Sequence, residues 1–286
     1  MKIIISPAKK MRADCDDLPV LTMPVFLDRA EEVQAWLRTL SYAEAKKLWT
    51  CSDAIAGPAY EQLRTADLRR GTVPALLSYD GIAFTYMVPG VLEESALAYL
   101  QNHLLILSAL YGVLRPFDGV VPYRLEMQEK AQVAGTRNLY EYWGDALYRM
   151  AVGEGDAAPG VATASVPGGA TTIAPGRATT AAPDVAGDRV IVNLASKEDS
   201  RAVERYLQSG DRFVTCTFAT RSASGKLVQK GVYCKMGRGE MVRYMATHAV
   251  EDPAERAGFD SPDWRYSEEH SSRDEFVFLR VEHKQR

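Results

Sequence analysis

A segment at about residues 153–187 sets the first limit on how this 286-residue chain can fold. It consists almost wholly of Ala, Gly, Pro, Thr, Val and Ser, with few acidic residues and no aromatic residue. Such a segment buries too little apolar surface to offset the entropy of ordering its backbone, which predicts a disordered low-complexity insertion. The ordered structure must come from the sequences on either side. The insertion either separates two halves or interrupts one domain.

The composition of the whole chain is typical of a globular protein, with 47% hydrophobic and 25% charged residues. No apolar run reaches the roughly 18 residues that a transmembrane helix needs. The N-terminal run of three isoleucines is too short for a signal peptide. We therefore expect a soluble, cytoplasmic protein without a membrane partner.

The cysteines and histidines predict neither a metal site nor a cofactor. The four cysteines lie far apart without a CxxC pair, and the four histidines show no metal-ligand spacing. This spacing argues against a zinc ribbon or a disulfide framework, and in a reducing compartment we expect free thiols. Cys216 and Cys234 fall in runs that read as neighbouring strands.

Two short apolar runs predict buried strands that end in polar residues. Residues 2–6 form a β-branched run that stops at Pro7 and is followed by Lys9. Residues 190–194 form a second run, after which Ser196 caps a helix to about residue 207. Ligands of α/β proteins bind at the carboxyl ends of strands, and helix N-termini favour anions. Ser6, Lys9 and Ser196 are therefore candidate site residues. A solvated basic turn is the alternative for residues 6–10.

The segment 108–127 has the sequence least typical of a purely structural element. The leucine spacing before it predicts a long helix over residues 93–110. Four turn-forming residues then alternate with charged side chains, which predicts a rigid loop that presents Arg115, Asp118, Arg124 and Glu126. The alternative is a surface turn with two ordinary salt bridges.

The local charge is segregated although the net charge is only −3. Residues 221–243 hold six basic side chains against one acid, and residues 251–275 hold nine acids against three arginines. The pattern predicts a hairpin of residues 212–220 and 226–235, followed by a Gly237-x-Gly239 turn that opens a helix. With Lys235, Arg238 and Arg243 beside it, this turn is a candidate phosphate site, and a solvated helix start is the alternative.

Other patterns predict packing elements. Asp28, Ser41 and Asn138 are placed to cap helices, the last of which runs to about residue 150. Residues 76–79 and 275–281 read as strands.

Several of these stretches together resemble the YaaA-type peroxide stress protein family of bacterial cytoplasmic proteins. The matching residues are 4–9, 107–116, 122–127, 139–145, 193–196 and 258–259, with the sequences IISPAK, LSALYGVLRP, PYRLEM, LYEYWGD, NLAS and GF. Their order and rough spacing hold along nearly the whole chain. The insertion at 153–187 departs from the family's usual pattern.

The resemblance implies one mixed α/β domain (α+β), with a mixed central sheet, surrounding helices and a helix-hairpin-helix-like element at the helix end near Leu110 and the turn 111–115. It also implies a role in tolerating hydrogen peroxide by limiting iron-linked damage, and DNA binding through a basic cleft. The cleft would draw on Lys9, Arg115, Arg124, Lys235, Arg238 and Arg243, and Ser196 joins this set through the helix that it caps.

Two functions remain open. The first is a non-catalytic protein that binds the phosphate backbone of double-stranded or distorted DNA, because no aromatic residues interleave with the basic ones. The second is an enzyme acting on a nucleotide or another phosphorylated small molecule, with Ser6, Lys9 and Glu126 as candidate catalytic residues. Direct iron binding is disfavoured because no ligand cluster has suitable spacing. The sequence does not predict the oligomeric state.

Overall fold

The computed structural model describes residues 1–15, 17–155, 189–222, 224–259 and 261–281. The insertion expected at 153–187 lies almost wholly outside the described residues. The described residues form the expected mixed α/β fold, with helices around a mixed central sheet. Within these ranges, no helix combines the length and apolar character needed to span a bilayer.

The helices and strands alternate along much of the chain. The strands are β1 (Lys2–Ile5), β2 (Lys10–Met11), β3 (Val73–Pro74), β4 (Tyr79–Asp80), β5 (Leu104–Ser108), β6 (Gly112–Leu114), β7 (Gly119–Val120), β8 (Arg189–Leu194), β9 (Asp211–Arg221), β10 (Leu227–Val228), β11 (Trp264–Tyr266) and β12 (Glu275–Arg280). The α-helices are α1 (Leu27–Thr39), α2 (Tyr42–Trp49), α3 (Asp53–Thr65), α4 (Ala75–Ser78), α5 (Ile82–Met87), α6 (Glu94–His103), α7 (Leu139–Trp143), α8 (Ala146–Ala151), α9 (Lys197–Glu204) and α10 (Gly231–Thr247). Short 3-10 helices cover Leu68–Arg70, Pro89–Val91, Val133–Gly135, Pro253–Gly258 and Glu268–His270.

The main sheet has the strand order β11-β12-β9-β8-β1-β5-β6, and β10 pairs with β9 outside this path. The five inner strands are parallel to their neighbours, whereas the edge strands β6 and β11 are antiparallel. Parallel strands are covered on both faces, so they need continuous apolar runs. β1 and β5 meet this requirement, because Ile3, Ile4, Ile5 and the whole of β5 are buried.

One continuous hydrophobic core extends over both sides of this sheet. A smaller apolar cluster, formed by Ala45, Trp49 and Ala56, joins α2 to α3. Three of the four predicted helix caps are present, whereas the cap at Asp28 is wrong, because α1 begins at Leu27 and Asp28 lies in its first turn. Ser41 forms a capping box with Glu44, and Asn138 and Ser196 accept hydrogen bonds from the first turns of α7 and α9.

The helix predicted over residues 93–110 is wrong in its second half. α6 ends at His103, and Leu104–Ser108 is the central strand β5. The periodic leucines Leu97 and Leu100 belong to the helix, but Leu104 and Leu107 belong to a strand buried on both faces. A short, wholly apolar run fits either a helix or a buried strand, so periodicity alone does not separate them.

The turn at 111–115 is consequently part of a β-hairpin. β5 pairs antiparallel with β6 through Ser108–Gly112 and Ile106–Leu114. The helix-hairpin-helix-like element placed here from the family resemblance is therefore not found at this position. Gly112 adopts a φ of +74°, and a side chain there would also collide with the Trp143 ring.

Two further predictions need correction. Residues 76–79 are mostly helical in α4, and only Tyr79 belongs to a strand. The predicted hairpin exists only as far as β10, which has two residues, because α10 begins at Gly231. Cys234 therefore lies on a helix and not on a strand next to Cys216, and both thiols are free.

Candidate functional site

Three strand ends meet at one edge of the main sheet. β1 lies between β5 and β8 and is parallel to both, so the carboxyl ends of the three strands point the same way. The chain adds β5 on one side of β1 and later β8 on the other, which makes β1 the point where the strand order reverses. Open α/β sheets bind ligands in the crevice outside such a point. Ser6, Ser108 and Ser196 lie at this edge.

Ser6 and Ser196 are joined by a hydrogen bond across this edge. The Ser196 backbone N–H donates to Ser6 Oγ at 2.7 Å, and Ser196 Oγ donates to Asp199 Oδ2 at 2.8 Å. Burial raises the pKa of Asp199, while hydrogen bonds from Ser6 and Ser196 and the charge of Arg238 oppose this increase. Arg238 on α10 is thus close enough to Asp199 to contribute to the same group of side chains.

A second group surrounds Glu126. Lys9 Nζ lies 2.8 Å from Glu126 Oε2, and Arg124 Nη2 lies 3.9 Å from Glu126 Oε1. The Glu126 backbone N–H donates to Glu129 Oε2 at 3.1 Å. Burial raises the pKa of Glu129 to about 7, with Glu126 adding to the increase and Arg124 and Lys9 opposing it. Glu126 therefore holds two cations in place, and Glu129 exchanges its proton near neutral pH.

A buried hydroxyl network anchors the second group to the end of β5. Tyr123 Oη lies 2.7 Å from Ser108 Oγ and 2.9 Å from Tyr79 Oη. Ser108 Oγ also accepts from the Tyr111 backbone N–H at 3.0 Å. Burial raises the pKa of Tyr123 to about 12, and the charge of Asp199 also reaches this ring. The network therefore fixes the residues that follow Tyr123 and links the two groups.

We call these side chains the carboxyl-edge cluster, which comprises Ser6, Lys9, Tyr123, Arg124, Glu126, Glu129, Ser196, Asp199 and Arg238. Its two arginines come from different elements, and each has a buried Nε without a hydrogen-bond partner in the described part of the chain. Burial lowers the pKa of Arg238, although a guanidinium stays charged at neutral pH. The cluster therefore holds cationic groups whose hydrogen-bonding capacity is not fully used.

Arg115 does not join this cluster. It follows β6, which runs antiparallel to β5, so it lies towards the amino end of β5. Its Nε lies 3.4 Å from Asp118 Oδ1, and its backbone N–H donates to Asp118 Oδ2 at 2.8 Å. Asp118 is fully buried, and burial raises the pKa of its carboxyl. Arg115 thus neutralises a buried acid, as in the salt-bridge alternative.

The glycine pair of α10 does not form a phosphate-binding turn. Gly237 and Gly239 lie inside the helix, where a β-carbon on Gly237 would overlap the Phe218 ring and one on Gly239 would overlap the Ala83 backbone. These glycines let α10 pack closely on β9 and α5. The Gly-x-Gly sequence pattern is the one expected of a phosphate-binding turn, but here the two glycines serve close helix packing.

Lys235 and Arg243 are exposed on α10. Arg238 and Arg243 are five residues apart, which places them roughly 140° apart around the helix axis. Arg243 lies near Glu240, whose pKa it lowers against the effect of burial. The three predicted cations of this segment therefore do not form one phosphate site.

A second polar region was missed by the sequence interpretation. A cavity of about 530 Å³ opens between α9 and the segment before α7. We call it the basic basin, and its lining residues are Gln128, Lys130, Gln132, Arg137, Asn138, Tyr140, Arg201 and Arg205. The spacing of Arg201 and Arg205, four residues apart, was a signal for a shared helix face. The other cations lie in a loop without any pattern.

Most of the cations in the basin lack a direct ion pair with a carboxylate in the described part of the chain. Arg137 pairs with Glu141 at 3.1 Å. Within the described ranges, Lys130, Arg201 and Arg205 have no carboxylate at ion-pair distance, and the charge of Arg205 acts on Glu141 only from farther away, where it helps to lower the pKa of that carboxyl. The Arg201 guanidinium lies over the Tyr140 ring, 5.3 Å from its centroid.

The basin adjoins the carboxyl-edge cluster. Gln128, which lines the basin, donates from Nε2 to Glu126 Oε2 at 3.1 Å. Tyr140 Oη donates to the Glu198 carbonyl at 2.9 Å, in the first turn of α9. The two regions therefore share one side of the molecule.

Comparison with known proteins identifies the family to which this chain belongs. A family model described as peroxide stress protein YaaA matches residues 1–163 and 176–270. The chain belongs to the peroxide stress protein YaaA family. The resemblance found in the sequence motifs is thus confirmed, and membership places the chain among proteins of the peroxide stress response.

Relatives extend the match over almost the full length. A UPF0246 protein of Agathobacter rectalis is 43% identical over 280 residues, covering 98% of this chain and 99% of the relative. UPF0246 proteins of Desulfitobacterium hafniense and Lachnoclostridium phytofermentans are 43% and 42% identical, covering 98% and 99% of this chain and 98% and 97% of the relatives.

Proposed function

We propose that this member of the peroxide stress family binds the phosphate backbone of DNA through the basic basin, and that this binding limits iron-linked damage. The observation that carries the proposal is the presence of three cations in the basin, Lys130, Arg201 and Arg205, without carboxylate partners in the described structure. Exposed, unpaired cations are those that replace the counterions of a nucleic acid at little desolvation cost.

The chemistry of the lining fits backbone contacts better than base recognition. Three carboxamides, from Gln128, Gln132 and Asn138, are hydrogen-bonding groups suited to phosphate and sugar oxygens. The Tyr140 ring is covered by Arg201 and is therefore not free to stack on a base. Duplex DNA, recognised through its backbone, is the partner that this surface suits.

The proposal changes the contact residues expected from the sequence. Lys9 and Arg124 share the Glu126 carboxylate, and Arg115 is committed to Asp118. These cations are partly neutralised before any ligand arrives. The basin supplies the positive charge that is not paired with an acid in the described structure. Lys9 lies next to the basin, on the side where Glu126 is.

Fluorescence anisotropy with a labelled duplex tests the proposal. We expect Arg201→Glu/Arg205→Glu to weaken binding at least tenfold and to reduce the slope of log K against log salt by about two. Arg221→Glu/Arg243→Glu is the matched control, because it makes the same charge change at two exposed arginines on other elements. Equal losses in both double variants, or no loss in the first, would contradict the proposed surface.

A further inference from the structure

The carboxyl-edge cluster has features that DNA backbone binding leaves unused. Arg124 and Arg238 each carry a buried Nε without a hydrogen-bond partner in the described chain. Buried polar groups without partners are rare in native structures, and a bound ligand is one way in which their hydrogen bonding is completed. The two arginines belong to different elements, a loop and α10, and they lie near two acids of the cluster, Glu126 and Asp199 respectively.

The chemistry of the missing partner follows from the donors. A guanidinium offers several N–H groups in a planar fork, which matches the oxygens of a phosphate. Lys9 adds an ammonium that is exposed although it pairs with Glu126, whereas the Ser6 and Ser196 hydroxyls already donate to Asp199. A helix N-terminus adds to the attraction for an anion. These groups together fit one phosphate group.

The acids of the cluster do not prevent anion binding. Glu126 is neutralised by Lys9 at 2.8 Å, with Arg124 at 3.9 Å. Asp199 accepts hydrogen bonds from Ser6 and Ser196, and burial raises the pKa of its carboxyl. Glu129 is 9% exposed, and burial raises its pKa to about 7. Glu129 therefore changes charge with a small change in its surroundings.

We propose that the carboxyl-edge cluster binds the phosphate group of a small phosphorylated molecule, and that Glu129 takes up a proton when the phosphate binds. This site is separate in function from the DNA surface, although it borders the basic basin. It also explains why the cluster combines arginines with carboxyl groups, since a DNA clamp has no use for a titrating acid.

Phosphate binding and protonation of Glu129 should favour each other. The charged groups facing Glu129 are Glu126, Arg124 and Lys9. A phosphate bound by Arg124 adds negative charge near Glu129 and offsets the arginine that stabilises its ionised form, so protonation becomes more favourable. Linkage then requires that phosphate binding weakens as pH rises through 7. A neutral residue at position 129 removes this part of the pH dependence.

Isothermal titration calorimetry in phosphate-free buffers tests the proposal. Inorganic phosphate and adenosine 5′-monophosphate are the probes, and a preference for one identifies free phosphate or a phosphorylated nucleoside as the source. We expect Arg124→Gln and Arg238→Gln each to weaken binding at least tenfold. Arg201→Ala/Arg205→Ala, in the basin, should change phosphate binding less than threefold.

The variant Glu129→Gln keeps the test decisive even where an arginine variant fails to fold. We expect it to bind as wild type does at pH 6 and at least threefold more tightly than wild type at pH 8. Phosphate ionisation affects both proteins equally, so the ratio reports Glu129. Proton uptake, read from buffers of different ionisation enthalpy, should decrease in this variant.

Three results would overturn the inference. The first is the absence of binding by either probe at millimolar concentration. The second is an identical pH dependence in wild type and Glu129→Gln. The third is a loss of phosphate binding in the basin variant that equals the loss in the arginine variants. The first two results leave duplex binding by the basin untouched, and the third would move phosphate binding from the cluster to the basin, so the two proposals fail separately.

Discussion

The carboxyl-edge cluster and the basic basin lie side by side, but they hold their arginines in different states. Arg124 and Arg238 in the cluster are mostly buried and lie near Glu126 and Asp199. Arg201 and Arg205 in the basin are exposed and lack carboxylate partners within the described ranges. The difference shows that counting basic residues does not locate the charges that are free to meet a ligand, because burial and pairing decide which charges those are.

The largest effect should come from breaking the packing that places Arg238 in the cluster. Gly239→Ala puts a β-carbon into the Ala83 backbone, so we expect the free energy of unfolding to fall by about 3 kcal/mol. Urea denaturation measures this change. Gly231→Ala is the matched control, since no atom lies within 4 Å of its β-carbon position, and it should leave stability nearly unchanged. A small loss at Gly239 would show that α10 is not held closely against α5.

The next-largest effect on stability tests whether the Glu129 carboxyl changes its protonation state near neutral pH. The pKa of Glu129 is raised from 4.5 to about 7 in the folded protein. The folded state therefore binds this proton more tightly than the unfolded state, and wild-type stability falls as pH rises from about 4.5 to about 7.

Replacing Glu129 with a neutral residue should remove this pH-dependent loss of stability. We expect Glu129→Gln to raise the free energy of unfolding at pH 8 by about 1–3 kcal/mol and to change it little at pH 4.5. Urea denaturation across this pH range measures the difference. A constant difference between variant and wild type at all pH values would contradict the assignment.

A smaller effect tests the hydroxyl network under the cluster. Tyr123→Phe removes the hydroxyl that joins Ser108 to Tyr79, and we expect a loss of about 1–2 kcal/mol in the free energy of unfolding. Tyr86→Phe provides the control, because within the described chain the Tyr86 hydroxyl makes no hydrogen bond. Similar losses in the two variants would mean that the network does not anchor the segment after Tyr123.

The smallest stability effect belongs to the basin. Arg201→Ala removes an exposed side chain whose described contact is the Tyr140 ring, so we expect less than about 0.5 kcal/mol of change in the free energy of unfolding. Duplex affinity should still fall several-fold in the anisotropy assay. A large stability loss without a change in affinity would assign Arg201 a structural role like that of Arg115.

Local chemistry explains which elements were predictable. The isoleucine run of β1 and the caps Ser41, Asn138 and Ser196 act within a few residues, so their roles follow from neighbouring sequence. The strand β8 was predicted for the same reason. The end of α6 was not, because Leu104–Ser108 satisfies a helix pattern and a buried-strand pattern equally.

The site was predictable in part. Placing Ser6, Lys9 and Ser196 after buried strands anticipated one sheet edge, and the structure joins Ser6 to Ser196 directly. Glu129 was missed, because burial by the surrounding fold sets its pKa, and its position after Met127 gives no sign of that burial. The glycines of α10 were misread because close packing and ligand approach favour the same residue.

The sequence by itself determined the family, the mixed α/β class, the inner strands β1 and β8 and three helix caps, because these depend on contiguous residues and on extended motifs. Only the tertiary structure decided which charges are free. Arg115 meets a buried acid, Arg124 shares a partly buried acid with Lys9, and Arg201 meets no acid in the described structure. The physical reason is that desolvation and ion pairing depend on residues distant in sequence, which are brought together only by the folded sheet.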